Sequence, residues 1–242
     1  MKIPASLCKI LFAVIISLLF ALPAQAGTFD KLHFIGFSED EKYMAFEAYG
    51  ISDGSGHGYS TITMIDVAKN TWVHSPIKTG TEVEMYSETQ ARTKNRAKAN
   101  KRLAALGIDD GVIVGRHVLS RKVTDLTAYT GPVRFARFVS STYQIGDFQL
   151  NLTEKPVSSS RCAVHTPPAR KIFELSLKNR ETNQTQMLQK DTKLPRSRYC
   201  PKSYRIADVF IHEKKLVVFL NMFNPGFEGH SMSYLAVTGI ID

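Results

Sequence analysis

The chain has 242 residues, 43% of them hydrophobic and 22% charged, a globular composition that excludes a disordered or fibrous protein. This length fits one domain, or two at most, and suffices to bury a core without a structural metal. The 31 lysines and arginines outnumber the 22 acidic residues. The formal charge of +9 therefore favours an anionic partner, although it does not identify one.

The N-terminus has the organisation of a secretory signal peptide. Lys2 and Lys9 precede an apolar run, Ile10–Leu22, and Ala24-Gln25-Ala26 provides small residues for cleavage. The run is shorter than the roughly 20 residues of a membrane-spanning helix, which disfavours the alternative of a permanent anchor. We predict that residues 1–26 are removed and that residues 27–242 form one soluble domain, secreted or periplasmic. No transmembrane segment is predicted in the mature chain.

Export determines how the cysteines are interpreted. Loss of Cys8 with the signal peptide leaves Cys162 and Cys200, an even pair in an oxidising compartment, and we predict a disulfide between them. The loop that it closes would contribute about 4 kcal/mol on the chain-entropy estimate. A zinc site would need further ligands at short spacing, such as a C-x-x-C pair, and the sequence has none. We therefore predict neither a metal site nor a cofactor.

Most of the remaining chain has the pattern of short β-strands separated by polar turns. The first strands form a hairpin that extends into a four-stranded meander: His33–Phe37, Tyr43–Tyr49, Tyr59–Val67 and Thr71–Val73. The C-terminal part repeats this layout in three strands: Ile206–Ile211, Leu216–Phe223 and Ser231–Ile240. Between these two parts lie four further candidates: Val133–Val139, Phe148–Leu152, Lys171–Leu177 and Thr185–Leu188. The predicted fold is mainly β, with antiparallel meander sheets in a sandwich or a propeller-like stack.

One segment, at about residues 88–106, is predicted to be a helix inserted between strands. Ser87 and Gln90 form a capping box at its start, and Gly107 stands where a C-terminal cap belongs, so the insertion covers about residues 87–107. Two stripes run along this helix, one apolar (Ala99, Leu103 and Leu106) and one basic (Lys94, Lys98 and Lys101). We expect the apolar stripe to pack on a sheet.

The basic stripe is the strongest interaction feature of the sequence. After export, the phosphate groups that it could meet belong to lipid headgroups or to an anionic cell-wall polymer. Nucleic acid is not predicted as a partner, because the segment has no aromatic residue to stack on bases. The alternative is a solvated helix face that only aids solubility.

Several of these motifs resemble a known family. The residues are Phe34–Gly50, Asp53–Gly56, the strand ending in Trp72, Leu106-Gly107-Ile108 and Asn221–Gly229. Together they resemble the bacterial predicted secreted proteins catalogued as domain of unknown function 2259. The resemblance implies a secreted or periplasmic protein with no assigned activity, so it supplies no catalytic residues. The opening hairpin is also similar to a blade repeat of TolB-type propellers, with Glu41 where that repeat usually has glycine.

Two loops contain candidate site residues. The glycine-rich loop that begins at Asp53 and includes His57 could form an anion nest or hold a cation, or it could be a plain hairpin connection. It is not a dinucleotide fingerprint, because a strand follows it where a helix is required. In the second loop, Glu228 and His230 could form an acid–base or metal pair, or they could simply be exposed. This loop only approaches the hydrolase motif G-x-S-x-G, and a strand again follows it.

These features support two classes of function. The first is a non-catalytic envelope protein that binds a partner protein or an anionic polymer through its loops and its basic helix. The alternative is a periplasmic hydrolase that uses the loops around Asp53–His57 and Glu228–Ser231. No recognised catalytic motif is present, so we expect the first.

Overall fold

A computed structural model of the chain describes residues 27–80, 85–124, 132–138, 144–162, 170–226 and 229–241. Within these residues the chain forms three antiparallel sheets, one α-helix and a short 3-10 turn. No helix of this described part combines the length and the hydropathy that crossing a bilayer requires. The predicted signal peptide and the candidate residue Glu228 lie outside the described residues.

The N-terminal sheet contains the predicted four-stranded meander. Its strands are β1 (Lys31–Phe37), β2 (Tyr43–Ile51), β3 (Gly58–Asp66), β4 (Thr71–Trp72) and β5 (Ile77–Thr79). They are ordered β1-β2-β3-β4, with β5 paired to β3. Polar turns close the meander as the sequence predicts, since the Ser38 hydroxyl accepts a hydrogen bond from the Tyr43 N–H at 2.9 Å. Strand β5 was not predicted.

The remaining described residues form, besides the helix, two four-stranded antiparallel sheets. Their strands are β6 (Arg116–Ser120), β7 (Val133–Phe138), β8 (Gln144–Val157), β9 (Arg170–Asn179), β10 (Thr185–Lys190), β11 (Ser203–His212), β12 (Lys215–Pro225) and β13 (His230–Ile240). The middle sheet has the order β10-β9-β8-β7 and the C-terminal sheet the order β13-β12-β11-β6. All the predicted strands are present, whereas β6 was missed.

The C-terminal sheet lies between the other two, and β12 shows this most clearly. Val217 and Phe219 on one face of β12 join a core shared with the N-terminal sheet. Leu216, Val218 and Leu220 on the other face join a core shared with the middle sheet. Alternate side chains of one strand therefore bury themselves in two cores. The prediction of a mainly-β fold is confirmed, and the sheets stack as in a sandwich.

The helix α1 (Glu88–Ala105) covers the outer face of the N-terminal sheet. The predicted capping box is present, because Ser87 and Gln90 each accept a hydrogen bond from the other's backbone N–H. Gly107 follows the helix at φ 65°, a left-handed conformation that glycine adopts without strain. Ala99 and Leu103 of the predicted apolar stripe are buried against the sheet, and Leu106 is half-buried.

The predicted disulfide is formed, between Cys162 and Cys200. Cys162 ends the 3-10 turn that follows β8, and Cys200 precedes β11. Both sulfur-bearing side chains are buried with Ile172 and Leu194 in a small separate core. The disulfide therefore ties a peripheral region of the middle sheet to the start of the C-terminal sheet.

Candidate functional site

The six basic side chains of α1 divide between an inner and an outer face. Arg92 and Arg96 turn towards the sheet, where both contact the carboxylate of Glu47 on β2. The distances from this carboxylate are 3.1 Å to the Arg92 Nη2 atom and 3.4 Å to the Arg96 Nη2 atom. Arg92 also lies over the Tyr49 ring, 3.7 Å from its centroid. Arg92 and Arg96 are therefore engaged in contacts within the protein and are not available to bind a partner.

Glu47 is completely buried, and a chain of polar contacts satisfies it. The Ser60 hydroxyl donates to Glu47 Oε1 at 2.8 Å and accepts from the Asn95 side-chain amide at 2.8 Å. The Thr79 hydroxyl then donates to the Asn95 amide oxygen at 3.1 Å. Because an unpaired buried charge is very costly, this network fixes the position of α1 on the sheet.

The outer face of α1 carries the remaining four cations, all exposed: Lys94, Lys98, Lys101 and Arg102. Lys94 donates to the Tyr86 hydroxyl at 2.8 Å, and Lys98 donates to the Thr79 hydroxyl at 2.9 Å. These partners are neutral, so they orient the ammonium groups without cancelling their charge. Among the described residues, no carboxylate forms an ion pair with any of the four.

A groove of about 550 Å³ runs along the other side of α1, and its charges are paired internally. Arg96 Nη1 binds Asp110 at 2.9 Å in addition to Glu47, and His33 Nε2 contacts the same Asp110 carboxylate at 2.8 Å. An incoming ion would have to displace these pairs. The groove is therefore a weaker candidate for ligand binding than the outer face.

The predicted glycine-rich loop, which begins at Asp53, is held by hydrogen bonds of its own backbone. The Gly56 N–H donates to the Ser52 carbonyl at 2.8 Å, and the His57 N–H donates to the Ser55 hydroxyl at 3.3 Å. The Asp53 N–H donates to the Thr28 hydroxyl at 3.2 Å, and its side chain is exposed. Since three of its N–H groups already have partners, the loop is poorly suited to act as an anion nest.

Thr28 connects this loop to the second predicted one. Its hydroxyl accepts from Asp53, and its carbonyl accepts from the Met232 N–H at 2.8 Å. His230 lies beside the same segment and is exposed. The two loops are thus neighbours on either side of residues 27–30. Among the described residues, no hydrogen bond or ion pair joins the side chains of Asp53, His57 and His230 to one another.

A polar pocket of about 270 Å³ opens where the N-terminal segment meets the glycine-rich loop. Its lining includes Thr28, Asp30, Ser52, Ser55, His57 and Tyr59. The Tyr59 hydroxyl donates to Asp30 Oδ1 at 2.5 Å. The Nδ1 atom of His57 is buried and has no hydrogen-bond partner among the described residues. Of the predicted site residues that the structure describes, only His57 lines this pocket.

Asp30 is the chemically unusual group of the pocket. Burial raises the pKa of its carboxyl to about 6, although hydrogen bonds from the Tyr59 hydroxyl and the Tyr234 backbone oppose the shift. Burial likewise raises the pKa of Tyr59, and the adjacent Asp30 charge raises it further, so its phenol stays protonated. Within the described part of the chain, no lysine, arginine or histidine forms an ion pair with Asp30.

Asp30 and Glu47 are not among the site residues predicted from the sequence. Asp30 is placed by a parallel bridge between Phe29 and Met232, a contact between distant parts of the chain that leaves no local signal. Glu47 does leave one, because it lies between Phe46 and Ala48 in a strand buried on both faces. A charged residue in such a run indicates a buried ion pair.

Comparison with known proteins gives one match. The model of a family described as predicted secreted protein (DUF2259) matches residues 45–239. No curated protein matches the chain. No solved structure matches it either. The matched range includes the helix and most of the three sheets, but it begins after β1 and after Asp30, so the pocket lies partly outside it.

Proposed function

Since the chain belongs to the DUF2259 family of predicted secreted proteins, we propose that it is a non-catalytic binding protein of the bacterial envelope. Its ligand is an anionic polymer, bound in the periplasm or at the cell surface. The predicted signal peptide at residues 1–26 and its removal belong to this proposal. The observation that supports it is the set of four exposed cations on the outer face of α1, none of which forms an ion pair with a carboxylate among the described residues.

The arrangement of these cations suits a polymer. Lys94, Lys98 and Lys101 follow each other at i, i+4 and i+7, so their ammonium groups lie along one side of the helix. Repeating phosphate or carboxylate groups on a chain could meet them in succession. The described surface of α1 exposes no large apolar side chain, whereas stable protein interfaces have an apolar centre. The polymer is therefore favoured over a partner protein.

The alternative function, a hydrolase, has less support. Asp53 is exposed, the His230 side chain forms no hydrogen bond or ion pair with the glycine-rich loop among the described residues, and Glu228 lies outside them. Ser231 belongs to strand β13 instead of a strand-to-helix turn, so its hydroxyl lacks the exposure of a nucleophile elbow. No group of three or more His, Cys, Asp or Glu in the described residues is placed to hold a metal ion.

Binding to polyphosphate tests the proposal. The triple variant Lys94→Gln/Lys98→Gln/Lys101→Gln should bind a long-chain polyphosphate about tenfold more weakly than the unaltered protein. Each exposed ion pair contributes up to about 1 kcal/mol, and three of them give a loss of this order. The affinity of the unaltered protein should also fall as salt rises from about 0.05 to about 0.3 M. Isothermal titration calorimetry measures both effects.

A matched control removes the same charge elsewhere. Lys122, Lys193 and Lys214 are exposed and lie outside α1, so their triple Gln variant should keep most of the affinity. Equal losses in the two triple variants would show that only net charge matters. That result, or equal affinity for polyphosphate and neutral dextran, would contradict a dedicated binding face.

A further inference from the structure

We propose that the pocket between the N-terminal segment and the glycine-rich loop binds a small ligand through a primary ammonium group, with Asp30 as its counter-ion. This site is separate from the outer face of α1 and does not rest on the proposed function. The ligand class follows from the charge of the pocket, from its hydrogen-bonding groups and from its size.

The charge of the pocket calls for a cation. Near pH 7 the Asp30 carboxyl is mostly ionised, since its pKa is raised only to about 6. Among the described residues, the hydrogen-bond partners of this carboxyl are the Tyr59 hydroxyl and the Tyr234 backbone, which are both neutral. Asp30 is half-buried, and a carboxylate that is partly withdrawn from water without a positive partner is costly, so a bound cation would offset that cost. A ligand can therefore supply what the described residues do not.

The hydrogen-bonding groups favour an ammonium ion. A carboxylate has about four acceptor positions, and Asp30 uses two of them within the protein. The buried Nδ1 atom of His57 can accept a hydrogen bond when the ring proton is on Nε2, and Ser52 adds a hydroxyl. These three residues offer an acceptor for each of the three N–H donors of a primary ammonium group.

The size of the pocket limits the ligand. Its volume of about 270 Å³ lies just below the roughly 300–1,000 Å³ of pockets that hold drug-sized molecules. The hydroxyls of Thr28 and Ser55 line the same space, where they can bind a polar substituent. The expected ligand is thus a small amine with hydroxyl groups, such as an amino alcohol or an amino sugar.

Ethanolamine is the probe for this site. We would titrate the purified protein near pH 7.5 and follow the backbone amide signals of the pocket residues by NMR, holding ionic strength constant with NaCl. The titration must reach millimolar concentrations, because a ligand with so few atoms binds weakly. Saturable shifts of these signals are expected. Ethylene glycol lacks the charge and choline lacks the ammonium N–H donors, so neither should produce saturable shifts in the same range.

Variants identify the counter-ion. Asp30→Asn keeps the acceptor for Tyr59 but removes the charge, and it should weaken ethanolamine binding about tenfold or more. Ser52→Ala, in a surface loop, should weaken ethanolamine binding about threefold. This variant tests the proposal if Asp30→Asn does not fold. The control Asp109→Asn removes an exposed charge elsewhere and should leave binding unchanged. The absence of saturable ethanolamine binding, or equal binding of ethylene glycol, would overturn the proposal.

Discussion

The carboxylate of Glu47 meets the guanidinium of Arg92 at 3.1 Å in a position where Glu47 has no exposed surface. This pair links β2 to the first half of α1. Because Glu47 contacts Arg92 and Arg96, these two arginines have a structural role, whereas the other four cations of the helix are exposed. The strongest consequences for stability follow from it.

Replacing Glu47 by Gln should lower the free energy of unfolding by about 3 kcal/mol. The substitution leaves the half-buried Arg92 and Arg96 without their shared counter-ion, and breaking a buried pair from one side typically costs about 3–5 kcal/mol. Urea denaturation measures the change. Glu181→Gln, at an exposed position, is the control and should alter stability by no more than about 0.5 kcal/mol. Equal effects of the two substitutions would show that Glu47 is not needed to hold the helix.

Asp30 should make stability fall as pH rises. Its pKa is about 6 in the folded protein and near the usual 3.8 in the unfolded chain, so the folded state binds more protons between these values. The group therefore destabilises the protein progressively from about pH 4 to about pH 6. Asp30→Asn removes this contribution and should be more favourable relative to the unaltered protein at pH 7 than at pH 4. The expected difference is about 1–3 kcal/mol.

Urea denaturation at the two pH values checks this prediction. Asp53→Asn, in the exposed loop nearby, provides the comparison and should show a much smaller pH-dependent difference. A stability gain from Asp30→Asn that is the same at both pH values would mean that burial of the charge is not its cause.

Gly58, the first residue of β3, should tolerate no side chain, whereas Gly54 in the loop before it should. A Cβ atom on Gly58 would lie 2.3 Å from the Glu88 backbone nitrogen, inside the first turn of α1. Gly58→Ala must therefore displace the helix, and we expect a loss of about 2 kcal/mol or more. A Cβ atom on Gly54 meets nothing within 4 Å, so Gly54→Ala should change stability by less than about 0.5 kcal/mol. Thermal unfolding of the two variants compares them, and equal losses would contradict this close approach.

The disulfide should stabilise the protein by restricting the unfolded chain. Bonding Cys162 to Cys200 closes a loop across 38 positions, for which we expect about 2–4 kcal/mol. The variant Cys162→Ser/Cys200→Ser should lose this amount in urea denaturation. A reductant should lower the free energy of unfolding of the unaltered protein towards that of the variant. It should leave the stability of the variant unchanged. Insensitivity of the unaltered protein to reductant would mean that the bond adds nothing.

Local patterns in the sequence predict most of the fold. The first hairpin, the capping box at Ser87 and the apolar stripe of α1 each depend on neighbouring residues, and all are present. Strands β5 and β6 were missed because they are short and only pair with β3 and β11, which lie elsewhere in the chain. Their β structure comes from their partners, not from their own composition.

The candidate sites were harder to predict than the fold. His57 was identified from its glycine-rich loop, but its pocket depends on Asp30, which reaches it through a pairing with Met232. The basic stripe was recognised as a helix face, and the structure separates it from Arg92 and Arg96. That separation depends on Glu47, which lies 45 positions before Arg92 in the chain. Contacts over such distances in sequence leave no periodic signal.

Strand β12 buries Phe219 and Val218 on opposite faces, and this position affects how the protein unfolds. Removing either the N-terminal or the middle sheet would expose apolar side chains of the C-terminal sheet to water. We therefore expect the protein to melt in a single cooperative step and to have no stable fragment that lacks its last three strands.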